Sequence, residues 1–236
     1  MIGVVISAFN QHDTVGDTIE SVIIQRDGLN CGLDIIFIDD ASMPPIDRMY
    51  PCPFPDDVNI QWLQVPDNRG VQKIRNIGFK MFKDRPVSRQ PEYIIFVDGD
   101  VTFTPNVFQE MKKALDTSGP DIAYAYGHYT RYGYLGGRFP SREFNPTALR
   151  EYNYISTMSL IKFPVLCREF EKPFVEDEER LQDWSLWLRL LNSGYNGVFI
   201  DKVVFSAYFA KKCISVRDQL DHEKWRQIIA DRYNHQ

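Results

Sequence analysis

Tyr93-Ile94-Ile95-Phe96-Val97-Asp98-Gly99-Asp100 decides how this chain folds. The stretch from Tyr93 to Val97 is apolar throughout and rich in β-branched and aromatic side chains, with no polar residue at alternate positions. That pattern describes a strand covered on both faces, as in a parallel sheet flanked by helices. The run ends abruptly in two carboxylates around a glycine. A central strand therefore delivers negative charge to its C-terminal end, the place where open α/β sheets bind ligands.

Upstream, short β-branched runs at residues 4–9, 33–38 and 60–65 alternate with helical patterns, the first over residues 13–25. This alternation predicts a mostly parallel sheet. Val15, Ile19, Val22 and Ile23 share one helical face, and Asp13 or Thr14 offers the cap. Downstream, Thr104-Pro105 opens a helix whose apolar face continues through Val107, Phe108, Met111 and Leu115, and Ser118-Gly119-Pro120 closes the first half. The second half starts with a strand at residues 122–126 and passes into aromatics interleaved with glycines over residues 127–139, which read as a shaped loop. A helix from about Leu181 carries Trp184, Leu188 and Leu191 at core spacing and stops at Asn192-Ser193-Gly194. Residues 197–200 read as a returning strand, and residues 43–55 and 83–91, rich in proline and charge, as candidate flexible segments. Neither is long enough for an interdomain linker. The expectation is one α/β domain over residues 1–236, with residues 1–118 and 119–236 as its two halves.

A chain of 236 residues with 44% hydrophobic content buries a sizeable core. With 27 Lys plus Arg against 32 Asp plus Glu, its net charge is −5, so no broad basic surface is available for a phosphate backbone and nucleic acid is not its main partner. Cys31, Cys52, Cys167 and Cys213 are scattered without zinc-ligand spacing and read as reduced thiols. The N-terminus lacks a basic leader, and no run approaches the roughly 20 apolar residues that span a bilayer. The expected location is cytoplasmic, with any membrane association peripheral.

Three acidic features carry chemistry. Asp98 and Asp100 flank a glycine that lets the backbone turn, so both reach a hard divalent cation with open positions for phosphate oxygens. The plainer alternative is an acidic turn, and the position at the end of a buried strand favours the cation. Asp39-Asp40 ends a second apolar strand, where a carboxylate can accept the N–H of a nucleobase or form an Asx turn. Asp183 begins an amphipathic helix, where the dipole favours an ionised carboxylate, as a helix-terminal acid or as a base. The polar turn over residues 67–76 sends amide and cationic groups toward the strand ends, with Lys73 and Lys80 read as solvated. Lone His128 and His222 read as structural, and Trp184 and Trp187 as core. The tyrosines and glycines of residues 124–139 suit either an acceptor platform for sugar rings or core and loop.

In order and approximate spacing, five segments resemble the inverting family 2 glycosyltransferases of the GT-A fold: residues 4–10, 34–42, 68–78, 93–100 and 182–190. The resemblance implies a Rossmann-like central sheet and transfer of a sugar from a nucleoside-diphosphate sugar, UDP-sugar favoured, to a glycan or other hydroxyl acceptor. It implies that Ser7 and Phe9 line the nucleoside pocket, that Asp39 contacts the base and that Arg75 helps hold the nucleotide. Asp98 and Asp100 correspond to the motif for manganese or magnesium and diphosphate, and Asp183 to the catalytic base. The chain departs from the pattern at Gln182, where an acid is common, and at Lys211-Lys212, where Arg or His commonly meets the diphosphate. Lys211 then supplies charge without the bidentate fork. The acidic run at residues 176–179 competes with Asp183, and Arg180 is the nearby candidate to pair with it. Two other readings share the architecture. A sugar nucleotidyltransferase would place a Gly-rich, Arg-containing loop where this chain has Ala8-Phe9-Asn10-Gln11-His12, and a nucleotide-sugar-binding protein without catalysis would not need the acids intact.

Overall fold

The computed structural model describes residues 1–46, 58–134, 136–209 and 219–234. Its centre is a nine-stranded mixed sheet. The strands β1 (Ile2–Ala8), β2 (Leu33–Asp39), β3 (Val58–Gln64) and β4 (Tyr93–Asp98) pair in parallel, in the order β3-β2-β1-β4. Helices α1 (Val15–Ile23) and α2 (Val71–Lys83) supply the crossovers that parallel pairing requires. Period-two alternation explains the layering. Val5, Ile36, Ile38, Ile94 and Phe96 face one core, shared with α2. Val4, Ile6, Ile35, Phe37, Ile95 and Val97 face the other, under α1 and α3 (Val107–Asp116). Contact on the first face is tight: a Cβ at Gly78 of α2 would stand 2.4 Å from Val5 Cγ1.

Beyond β4 the pairing turns antiparallel through β8 (Leu160–Lys162), then reaches β6 (Ile122–Gly133), β9 (Asn196–Phe209) and β5 (Val101–Phe103), with β7 (Gly137–Phe139) added to β6. Two expectations are corrected here. The aromatic and glycine-rich stretch is mainly strand, because β6 runs on to Gly133 and doubles back through β7, and the returning strand extends to Phe209. Paired backbones satisfy their own hydrogen-bonding groups, which a loop of that apolarity would leave bare. Residues 83–91 are pinned: the Gln90 amide donates to the Lys83 and Arg85 carbonyls, and Arg85 pairs with Asp34 at 2.5 Å. Of residues 43–55, those after 46 lie outside the described residues.

β5 is an edge strand, and α1 covers its open hydrogen-bonding side. Thr18 Oγ1 accepts from the Val101 amide at 3.2 Å, and Ser21 Oγ accepts from the Phe103 amide at 3.1 Å. Gln25 accepts from Phe108 N and donates to the Thr104 carbonyl. Thr14, expected as a helix cap, makes no capping bond; its hydroxyl donates to the Gly99 carbonyl at 2.8 Å and ties α1 to the acidic turn. The remaining helices are α4 (Pro146–Glu151), α5 (Phe163–Glu169), α6 (Gln182–Asn192) and α7 (Gln219–Tyr233). α6 buries Trp184 and Trp187 in the first core, as its spacing predicts, with Trp187 stacked on Tyr124. Among the described residues no helix is long and apolar enough to cross a membrane.

Candidate active site

The chain leaves β1 on one side for β2 and β3 and returns on the other as β4, so the C-terminal end of β1 is a topological switch point. Register sets three strand ends side by side there: Ser7 pairs with Asp98, and Ala8 with Asp39. Ser7 is buried and its hydroxyl donates to the Val97 carbonyl at 3.4 Å, whereas Phe9 is 47% exposed just past the strand. An exposed ring beside a buried serine makes a rim able to stack a planar base.

Asp39 faces inward. It is 1% exposed, and its two oxygens accept the Ser42 amide at 2.9 Å and the Ile46 amide at 3.1 Å. This is the Asx-turn geometry, so the expected direct contact with a base meets a carboxylate already committed to its own loop. Asp39→Ala is expected to lower stability by about 1–3 kcal/mol in urea unfolding, because two buried donors lose their acceptor. Its neighbour Asp40, to which the sequence reading gave no separate role, accepts the Arg69 amide at 2.7 Å and the Gly70 amide at 2.9 Å. Gly70 has φ +85°, a conformation that favours glycine, and stands immediately before α2. The acid pair thus fixes both loops that border the strand ends.

α2 carries Arg75 across to β4. Its Nη2 donates to Asp98 Oδ1 at 2.5 Å, the guanidinium lies 5.2 Å from the centre of the Phe174 ring, and the side chain is 1% exposed. Nε and Nη1 are buried without a partner among the described residues. Arg75, expected to help hold the nucleotide, lies behind Asp98 with almost none of its surface exposed.

Gly99 is required by close approach rather than by an unusual φ: a Cβ there would lie 2.7 Å from Gln11 Oε1 and 3.0 Å from the Ala8 Cβ. Gln11, which the sequence did not single out, also hydrogen-bonds Asp100. Burial, then the nearby charge of Asp98, push the Asp100 carboxyl up to about 7, against the lowering effects of Gln11 and Arg75. Two crowded carboxylates that keep a proton near neutrality fit a divalent cation, which would satisfy both. Among the described residues no group of three or more His, Cys, Asp or Glu side chains gathers to hold a metal, so other ligands would come from substrate oxygens and water.

Asp183, in the first turn of α6, belongs to the same neighbourhood. Burial raises its pKa; the Trp184 amide, donating to Oδ1 at 2.9 Å, the Asn153 side chain and the charge of Arg75 work against that rise. Arg180, the nearby candidate to pair with it, pairs with Asp221 of α7 at 2.5 Å. Arg75 therefore acts electrostatically on Asp98, Asp100 and Asp183 together. On the far side, Tyr129 is pushed up to about 12 by burial and by the charge of Asp183, with Arg131 opposing. Tyr129 stacks between Phe139 and Phe205, and the Arg131 guanidinium lies 5.7 Å from both Phe139 and Phe209.

Two members of the competing acidic run have partners of their own. Glu178 is fully buried and accepts from Tyr233 Oη at 2.7 Å and Arg232 at 3.0 Å, and Glu176 pairs with Lys172 at 2.9 Å. His128 is structural, as its isolation predicts: Nδ1 accepts the Ser141 amide, so the proton sits on Nε2, which bonds Asp201. His222 is exposed on α7. Lys211 and Lys212 lie outside the described residues.

The profile of the family "Glycosyl transferase family 2" matches residues 3–168, more than half of the chain. The chain belongs to glycosyltransferase family 2. Its family relatives include the minor teichoic acid biosynthesis protein GgaA of Bacillus subtilis (strain 168), 28% identical over 134 residues, which cover 55% of this chain and 28% of GgaA. They also include the Escherichia coli UDP-Glc:alpha-D-GlcNAc-diphosphoundecaprenol beta-1,3-glucosyltransferase WfaP, 24% identical over 199 residues, 82% of this chain and 71% of WfaP. Among solved structures, S. aureus TarS 1-349 in complex with UDP-GlcNAc superposes with a TM-score of 0.71 at 16% identity, covering 97% of this chain and 65% of that one. That likeness shows the GT-A-type fold. The chain spans 28% of GgaA and less than two thirds of the TarS fragment.

Proposed function

We propose that this family 2 chain transfers a hexosyl group from a UDP-sugar to a hydroxyl of a glycan-type acceptor, with inversion at the anomeric carbon. The observation that carries the reading is the placement of Asp98 and Asp100 at the carboxyl end of β4, with buried Arg75 paired to Asp98 and its charge acting on Asp100 and Asp183. In this reading residues 1–118 hold the donor and residues 119–236 bring the base and the acceptor surface. Ser7 and Phe9 border the nucleoside, while Asp39 and Asp40 shape its pocket through the loops they hold. Lys211 adds charge toward the diphosphate.

Asp98 and Asp100 are the residues that would hold manganese or magnesium, and a bound dication would neutralise the departing diphosphate. Asp183 accepts the acceptor proton. Its desolvation suits that task, because a raised pKa makes the carboxylate a better base while leaving it ionised above that value. In-line attack by the activated hydroxyl, opposite the leaving diphosphate, inverts the anomeric centre. The names of the two relatives support an acceptor that is a cell-surface glycan or its lipid-linked precursor, reached from the cytoplasm by peripheral approach to the membrane.

A thermal-shift screen of UDP, GDP and dTDP, with and without manganese, followed by turnover of the corresponding UDP-sugars, tests the reading. UDP with manganese is expected to raise Tm most, since a ligand that binds only the folded state stabilises it. No response to any nucleoside diphosphate, or hydrolysis and transfer both absent with every donor, would reject it.

A further inference from the structure

We propose that Asp221 of α7 is a positioning residue for the base: its ion pair with Arg180 holds the left-handed turn at Leu181 from which α6 starts, so that the C-terminal helix aims Asp183 at the acceptor. The inference deepens the glycosyltransferase reading and rests on it.

Asp183 is the second residue of α6, and the chain enters that helix through Leu181 at φ +57°. A leucine in that conformation is strained, because its Cβ crowds the backbone, and it persists where the surroundings over-determine it. The carboxylate follows the turn: the Trp184 amide donates to Asp183 Oδ1 at 2.9 Å, so its direction is set by how α6 begins. The segment that leads into the turn is gripped from three sides. From α2, Asn76 donates to the Phe174 carbonyl at 2.8 Å and accepts the Phe174 amide at 3.0 Å, and the Gln72 side chain donates to the Glu178 carbonyl. From α6 itself, Arg189 donates to the Pro173 carbonyl at 2.7 Å. These ties stop at Glu178. α7 takes the residue next to the turn: Arg180 Nε donates to Asp221 Oδ2 at 2.5 Å, with 13% and 33% of the two side chains exposed. The other end of α7 is anchored as well. Tyr233 Oη and Arg232 donate to Glu178 Oε1 at 2.7 Å and 3.0 Å, and Asn192 donates to the Tyr233 carbonyl at 2.8 Å. The first and last turns of one helix therefore hold residues 178 and 180. Apolar packing does less, for Ile229 and Tyr233 are the buried apolar residues among those described in α7. A partly exposed ion pair adds little net stability, and what it supplies at the entry to α6 is direction.

The test measures kcat, donor KM and UDP affinity in manganese for Asp221→Asn and Asp221→Glu, and repeats Asp221→Asn in the Asp183→Asn background. Glu223→Gln, which breaks an ion pair internal to α7, is the control and is expected to keep the wild-type rate. In Asp221→Asn kcat is expected to fall about 10-fold, short of the roughly 10²-fold cost of a full ångström of misplacement, with donor KM and UDP affinity unchanged. Asp221→Glu, which keeps the charge, is expected to recover most of the rate. In the Asp183→Asn background the substitution is expected to cost nothing further, since no base is left to aim. An unchanged kcat in folded Asp221→Asn, UDP affinity lost in step with kcat, or the full loss repeated in the Asp183→Asn background would overturn the assignment. Arg180→Gln breaks the same pair from the other side and is read in the same way where Asp221→Asn does not fold. Absent wild-type turnover, or near-normal kcat in Asp183→Asn, rejects the reading of the site and this inference with it; an active wild type with an impaired Asp183→Asn and unmoved Asp221 variants rejects the role of Asp221 alone.

Discussion

Asp183→Asn is expected to leave UDP and manganese binding intact while kcat falls by on the order of 10²-fold or more. Asparagine keeps the side-chain oxygen that accepts the Trp184 amide, so the start of α6 and the burial of Trp184 and Trp187 behind it are preserved. What disappears is the basicity. The same substitution is expected to raise thermal stability. Burial raises the folded-state pKa of Asp183 above its ordinary 3.8, so between the unfolded and folded values the native chain holds a proton that the unfolded chain has released. Stability therefore falls as pH rises through that window, and the loss is complete above it. Removing the charge removes the loss, a stability gain at the expense of function. A variant with near-normal kcat would return suspicion to Glu176 and Glu179, since Glu178 is committed to Tyr233 and Arg232. Loss of donor binding along with kcat would make Asp183 part of the framework.

The parallel half of the sheet was legible because two-sided burial writes itself as continuous apolar runs, and the acids followed from where those runs stop. The other half was not. β6 and β9 pair over most of their length, with three irregularities in register, and no local pattern in the aromatic and glycine-rich stretch announces a partner more than 60 residues away. The buried polar side of α1 was not legible for a related reason: Thr18 and Ser21 are buried because they accept the Val101 and Phe103 amides of β5, and Gln25 just past the helix because it holds Thr104 and Phe108, partners about 80 residues away. Within the site, residue types were readable and pairings were not. Proximity along the chain suggested Arg180 for Asp183, whereas Arg180 pairs with Asp221 of α7 and the charge of Arg75, from a distant crossover helix, acts on Asp183. Asp39 shows the same limit: whether a strand-end carboxylate meets a ligand or its own loop depends on where the Ser42 and Ile46 amides point.

Asp100→Asn is expected to abolish most of the manganese response and to weaken UDP binding in manganese, while raising the Tm of the metal-free protein. In the metal-free state the Asp100 carboxyl, pushed up to about 7, holds its proton in the folded chain at pH values where the unfolded chain, with an ordinary 3.8, has lost it. Stability thus declines as pH rises from about 4 to about 7, the range over which the buried Asp100 carboxyl ionises beside Asp98, which among the described residues is the carboxylate that Arg75 pairs with. A dication held by Asp98 and Asp100 would require Asp100 to give up its proton, so its affinity would fall on acidification. The Tm increment from manganese plus UDP is accordingly expected to be larger near pH 8 than near pH 5.5 in the wild type, and small at both in Asp100→Asn. An increment that ignores pH, or one that survives the substitution, would place the cation elsewhere and leave Asp98 and Asp100 as an acidic turn stabilised by Gln11 and Arg75.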